Sequence, residues 1–134
     1  MKGLITVADA AVTDAKAGKL SALGAFWSTL SDGKRDVDVV FVLRLDQHEL
    51  GAHDVRISLV PLIDSERESM AETAAELIVE PKDPVSPMPG LPAVFANTVR
   101  LSGVELEPGL YGWKLVVDGE LLDEWIFAVT PRAT

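Results

Sequence analysis

The chain has 134 residues, 48% hydrophobic and 25% charged, with 21 acidic against 12 basic residues and a net charge of −9. That length suits one domain around one core, and the composition excludes disordered and fibrous classes. The acidic balance repels a phosphate backbone, so no nucleic-acid partner is expected. Lys34-Arg35, the only adjacent basic pair, is flanked by Asp32 and Asp36. With no cysteine, the chain has no disulfide, thiolate metal site or thiol nucleophile of its own, which suits a reducing compartment. No apolar run of signal-peptide length precedes Asp9, and nowhere do about eighteen apolar residues run together. The expectation is a soluble, cytoplasmic domain with no membrane partner.

Taken in chain order, the apolar residues recur every second position, which is the pattern of strands. Leu4 to Thr13 and Lys19 to Thr29 are read as the first two, parted by the turn-forming Asp14 to Gly18. In Asp36 to Leu45, Val37, Val39, Phe41, Leu43 and Leu45 share one face against Asp36, Asp38 and Arg44. The intervening Val40 and Val42 mark this strand as central and partly covered on both faces. Val55, Ile57 and Leu59 alternate with Asp54, Arg56 and Ser58. The segment from Met70 to Leu77 is rich in Ala and Glu, good helix formers, but Glu72, Glu76 and Glu80 step evenly against Thr73, Ala75, Leu77 and Val79. That step and the β-branched Ile78-Val79 pair decide for a strand.

Val94 to Leu101, Leu110 to Val117 and Leu121 to Val129 complete eight segments. Between them Pro81 to Pro92 holds five prolines, which cannot donate to a ladder, so the chain must leave the sheet there. It reads as a crossover, with Pro87, Met88 and Pro89 as a lip for a ligand or partner in the alternative. The fold class expected is all-β: an antiparallel β-sandwich of about eight strands, immunoglobulin-like or Greek-key in type, forming one domain over residues 1–134.

Asp118-Gly119 predicts a type I′ hairpin, because both central residues of that turn need positive φ. A two-residue loop puts Leu115 opposite Leu122 but Trp113 opposite Glu124. A three-residue loop ending at Glu120 pairs Trp113 with Trp125, Tyr111 with Phe127 and Lys114 with Glu124. A β-bulge near Asp123 would reconcile the two. Upstream, Glu107-Pro108-Gly109-Leu110-Tyr111 resembles the tyrosine corner of immunoglobulin-like sandwiches, a structural role for Gly109 and Tyr111.

Several of these segments together resemble an uncharacterised family of small bacterial β-sandwich domains of unknown function. They are Ala8-Asp9-Ala10, Gly18-Lys19-Leu20 leading to Gly24-Ala25-Phe26-Trp27, His53 before Val55 to Leu59, Pro108-Gly109-Leu110-Tyr111-Gly112-Trp113, Val117-Asp118-Gly119-Glu120 and Phe127. The chain departs from that pattern after Leu62, where Asp64-Ser65-Glu66-Arg67-Glu68 replaces a tighter turn. The resemblance implies a fold and no chemistry.

Asp46, His48, His53 and Asp54 are the one group with metal-ligand character, at a spacing that matches no specific site, and no cofactor is expected. No Gly-x-Ser-x-Gly elbow and no glycine-rich phosphate loop is present, so enzymatic activity is not the leading reading. Trp27, Trp113 and Trp125 sit in apolar strand contexts that favour core; Trp125 is the best candidate for ligand or partner contact, because its facing depends on the bulge. The function expected is a non-catalytic protein-binding or scaffold module, with a protein partner or self-association through a sheet face or edge. The alternative is a small-ligand binder or hydrolase with its site between loops 46–54 and 81–92.

Overall fold

A computed structural model describes residues 1–14, 19–23, 28–62, 71–79 and 93–132, and these are almost entirely strand. The strands are β1 (Lys2–Ala8), β2 (Ala10–Asp14), β3 (Lys19–Leu23), β4 (Thr29–Ser31), β5 (Gly33–Leu45), β6 (Gly51–Pro61), β7 (Ala71–Val79), β8 (Ala93–Leu106), β9 (Gly109–Val117) and β10 (Glu120–Thr130). One 3-10 turn, Gln47–Glu49, joins β5 to β6. Among the described residues no helix is long and apolar enough to cross a membrane.

Two expected strands are each divided. The first breaks at the exposed Asp9, so that β1 pairs with β5 while β2 pairs with β3. The second yields β3 and the three-residue β4, with 24–27, including Trp27, outside the described residues. Asp9 has no Pro or Gly beside it in the sequence to announce the first break. Ala71–Val79 is a strand paired with β6, so the even step of Glu72 and Glu76 outweighs the helix propensity of the Ala and Glu residues.

One sheet has the order β1-β5-β8 and the other β4-β10-β9-β6-β7, while β2 and β3 form a separate ribbon. All pairings are antiparallel except β4 with β10, which is parallel. The expectation of a wholly antiparallel fold is corrected there: β4 is not joined to β10 by a turn and lies along its C-terminal end, from Ala128 opposite Thr29 to Thr130 opposite Ser31.

The inner faces of both sheets fill one buried cluster: Val37, Val39, Phe41, Leu43 and Leu45 of β5 with Val55, Ile57 and Leu59 of β6, Tyr111, Trp113, Leu115 and Val117 of β9, and Phe127 and Val129 of β10. Val40, on the opposite face of β5, is also buried, because β2 lies against β5 and β8. Beneath that ribbon the buried carboxylate of Asp38 accepts the Ala11 N–H at 2.7 Å. The two-sided burial read from Val40 thus has a definite cause.

At the β9–β10 hairpin Asp118 and Gly119 have φ of 51° and 82°, the left-handed pair a type I′ turn needs. Next to the turn Glu120 faces Val117 and Leu121 faces Val116. The register then slips, so that Asp123 faces Leu115, Glu124 faces Lys114, Trp125 faces Trp113 and Phe127 faces Tyr111. Leu122 is the extra residue. The bulge therefore gives the short loop near the turn and the aromatic pairs beyond it, with the Tyr111 and Phe127 rings stacked at 5.6 Å. The Tyr111 hydroxyl donates to the Glu107 carbonyl at 2.7 Å, closing the corner that Pro108-Gly109 opens.

The bulge also joins the sheets. Leu122 packs against the core, and the Asp123 carboxylate accepts the Ile5 N–H at 2.9 Å, satisfying a backbone donor on the outer edge of β1. Gly3 makes that approach feasible: a Cβ there would stand 2.9 Å from Leu115 Cδ2 and 3.0 Å from Leu122 Cβ.

Three substitutions measure this seam by urea denaturation. Gly3→Val overpacks it and is expected to lower stability by about 1–3 kcal/mol. Asp123→Ala leaves the buried Ile5 N–H without its acceptor, for a loss of about 1–3 kcal/mol. Tyr111→Phe removes one hydrogen bond and is expected to cost about 1 kcal/mol.

Candidate functional site

The residues singled out between Asp46 and Asp54 divide into three groups. The first surrounds the 3-10 turn, where Asp46 N–H donates to Glu49 Oε1 at 2.9 Å and the Glu49 N–H returns to the Asp46 carbonyl at 2.9 Å. That reciprocal pattern is the Asp-x-x-Glu capping arrangement, visible in Asp46-Gln47-His48-Glu49. Glu49 Oε2 also accepts from the Met1 ammonium at 2.6 Å. The ammonium and the Asp46 N–H together hold the Glu49 carboxyl below the usual range.

The second group is His53 with Asp118. His53 Nδ1 lies 2.6 Å from Asp118 Oδ2, and Nε2 faces the Glu49 carbonyl. A carbonyl oxygen only accepts, and so does a carboxylate, so this arrangement suits the protonated ring, in which both nitrogens donate. The Asp118 hydrogen bond accordingly raises the His53 pKa against the opposing effect of burial, helped by the Glu49 carbonyl and the Asp118 and Glu49 charges. Asp118 is lowered in turn, by His53 first and then by the Asp54 N–H, which donates to its Oδ1 at 2.9 Å. With Asp118 N–H returning to the Asp54 carbonyl, the hairpin tip is clasped to the start of β6. Asp118 thus has a second role besides its turn conformation.

The third group is a surface ion-pair chain. Arg56 Nε lies 3.2 Å from Asp54 Oδ2, and Arg56 reaches towards Glu72 at 3.9 Å. The four metal candidates are therefore not brought to one point. Asp46, His48 and Glu49 do hold ligand atoms within 4.8 Å of one another. Both Glu49 oxygens are already engaged, which leaves the exposed Asp46 and His48, two donors where a structural zinc takes four. Both His53 nitrogens face oxygen partners, on Asp118 and Glu49.

Trp125 is half-buried against the core, on the same side as Trp113. Pro87, Met88 and Pro89 lie outside the described residues, as does all of 81–92, so the ligand site expected between that segment and 46–54 has one side in view.

The feature that no motif announced lies between the free edges of the two sheets. A groove of about 150 Å³ is lined by Thr73, Ala75 and Leu77 of β7 and by Phe95, Asn97 and Val99 of β8. Phe41, Val55 and Ile57 form its floor, and Glu76 stands at its rim. Two of the side chains of β7 that line it are small: Ala75 and Thr73 sit opposite the buried Val55 and Ile57 of β6. Both strands are edges, β8 of the three-stranded sheet and β7 of the five-stranded one. On β8 the Thr98 N–H is already taken by Asn97 Oδ1 at 2.8 Å. Among the described residues no side chain bonds the outer backbone edge of β7.

The fold and groove describe a nearly all-β protein of two sheets with a shared core. A family of unknown function (DUF6941) has a model that matches residues 3–130, and the chain belongs to that family. Comparison with curated proteins finds no match. Among solved structures, the chain is similar to a glycosyl hydrolase family 2 member from Bacteroides cellulosilyticus DSM 14838, at 17% identity and a TM-score of 0.43. That similarity covers 76% of this chain but 13% of the other.

The His53 clasp gives a pH dependence with a defined sign. A raised folded-state pKa means its stabilisation is complete below the unfolded value, near 6.5, and is lost as pH rises through the folded value. The wild-type melting temperature is expected to fall across that interval, while His53→Gln shows no such step and is about 1 kcal/mol less stable at pH 6. Thermal melts from pH 5 to about 9 check both.

Proposed function

We propose that this protein is a non-catalytic interaction module that takes an extended segment of another protein into the groove between β7 and β8. The supporting observation is a nine-residue edge strand, Ala71–Val79, whose outer side has no strand partner among the described residues and which stands beside an apolar trough. In an antiparallel ladder every second residue of an edge strand turns its N–H and C=O outward, so β7 offers a template for one more strand. Alternate side chains of the added strand would enter the groove over Thr73 and Ala75 and meet Phe95 and Val99. Each buried aliphatic side chain contributes about 1.5–3 kcal/mol. Three or four of them, set against the entropy of association, give affinities on the order of 10–100 µM.

The two sheets in this reading pack as an immunoglobulin-like sandwich, supported by the shared core and by the Tyr111 hydroxyl bond to Glu107. Its open side is the groove. A small-molecule pocket usually encloses about 300–1,000 Å³. The groove is smaller, and it is lined by alternate residues of two strands, Thr73 to Leu77 and Phe95 to Val99, which favours a peptide over a compact ligand.

Titration of the ¹⁵N-labelled protein with a nine-residue peptide of alternating Val and Thr tests the module. Chemical-shift changes and slowed amide exchange are expected along β7, with side-chain shifts at Phe95 and Val99. Ala75→Trp, which fills the groove from within, is expected to weaken binding at least about tenfold, a loss of about 1.4 kcal/mol. Shifts confined to other surfaces, or none at millimolar peptide, would refute the proposal.

A further inference from the structure

The groove's charge defines its occupant more closely, an inference that rests on the strand-addition reading above. We infer that the segment it takes comes from another protein and carries cationic side chains four residues apart, with bulky apolar residues at the alternate positions between them.

Strand periodicity fixes the pattern. Along β7, Thr73, Ala75 and Leu77 face the groove, while Glu72, Ala74 and Glu76 face outward. A strand paired with β7 places its own outward residues directly opposite those of β7, about 5 Å away. The positions facing Glu72 and Glu76 are then four apart, and the one between them faces Ala74. Residues of the other parity enter the groove, where the small Thr73 and Ala75 leave room for branched or aromatic side chains.

The charges around these positions are unbalanced. Asp54 is the β6 partner of Glu76, and Arg56 is shared between Asp54 and Glu72. No cation stands against Glu76 among the described residues, and Glu76 is the charged member of the groove lining. A Lys or Arg opposite it would gain a pairing that the protein does not supply to itself. Like charge there would be repelled by Glu72, Glu76 and Asp54 together.

The same charges disfavour a second copy as the occupant. Joining two copies through β7 sets Glu72 and Glu76 of both strands on one face of a common ladder, with Asp54 of each copy beside them. It also brings together two chains of net charge −9.

Three nine-residue peptides test the inference by isothermal titration and NMR: Val-Lys-Val-Thr-Val-Lys-Val-Thr-Val, and the same sequence with both Lys replaced by Thr or by Glu. Affinity is expected in the order Lys, Thr, Glu, with at least about a tenfold span at ~20 mM salt that narrows at ~500 mM as the charges are screened. The double variant Glu72→Lys with Glu76→Lys, at exposed positions, should keep the wild-type circular dichroism spectrum and reverse the order. Equal affinity for all three peptides would overturn the charge pattern and leave the strand-addition module standing. Absence of binding by any of them would overturn both, and a concentration-dependent dimer formed through β7 would replace the foreign segment with a second copy.

Discussion

The interior of this protein depends on one buried cluster to which both sheets contribute alternate residues, with water excluded from it. Leu43 and Leu45 from one sheet and Leu59, Trp113, Leu115 and Phe127 from the other are almost wholly buried. None of these strands has enough apolar surface to be stable alone, since a lone hairpin is marginal in water. Each sheet is held by what the other covers. The connections between the sheets therefore matter more than their individual ladders.

One such connection is built from a single irregularity. The extra residue at Leu122 lets β10 keep a tight type I′ turn and still set Trp125 opposite Trp113. It also directs Asp123 to the edge of β1, where a carboxylate closes a backbone donor that would otherwise invite another strand. Edges are managed elsewhere by similar local means: Asn97 occupies the Thr98 N–H on β8, and the β2–β3 ribbon roofs the outer face of β5. Among the described residues the outer edge of β7, beside an apolar groove, has no such cover.

The polar residues near β6 have a different use from the one their chemistry first suggests. His53 and Asp118 lie 65 positions apart in the chain and meet at 2.6 Å because the β9–β10 turn folds onto the start of β6. One imidazole nitrogen holds that turn through Asp118, and the other faces the Glu49 carbonyl of the 3-10 turn. Asp46 and Glu49 cap a 3-10 turn, and Asp54 shares Arg56 with Glu72. Groups with reactive chemistry are thus engaged in positioning backbone.

How much was legible beforehand follows from the range of each interaction. Alternation is local, so the strands at Val37–Leu45, Val55–Leu59 and Ala71–Val79, the positive φ at Asp118-Gly119 and the Tyr111 corner could all be read from neighbouring residues. Even the bulge was implied, because the turn and the aromatic pairs demanded registers that differ by one residue. The break at Asp9, the parallel placement of β4, the clasp between His53 and Asp118 and the groove between β7 and β8 could not be. Each depends on which strands become neighbours, and that is settled by long-range packing of apolar faces for which single-sequence periodicity carries no address. The sequence by itself determined which residues are extended and which face is apolar; only the tertiary structure decided which strands became neighbours and, among the described residues, which edges are covered, because that depends on contacts between distant segments.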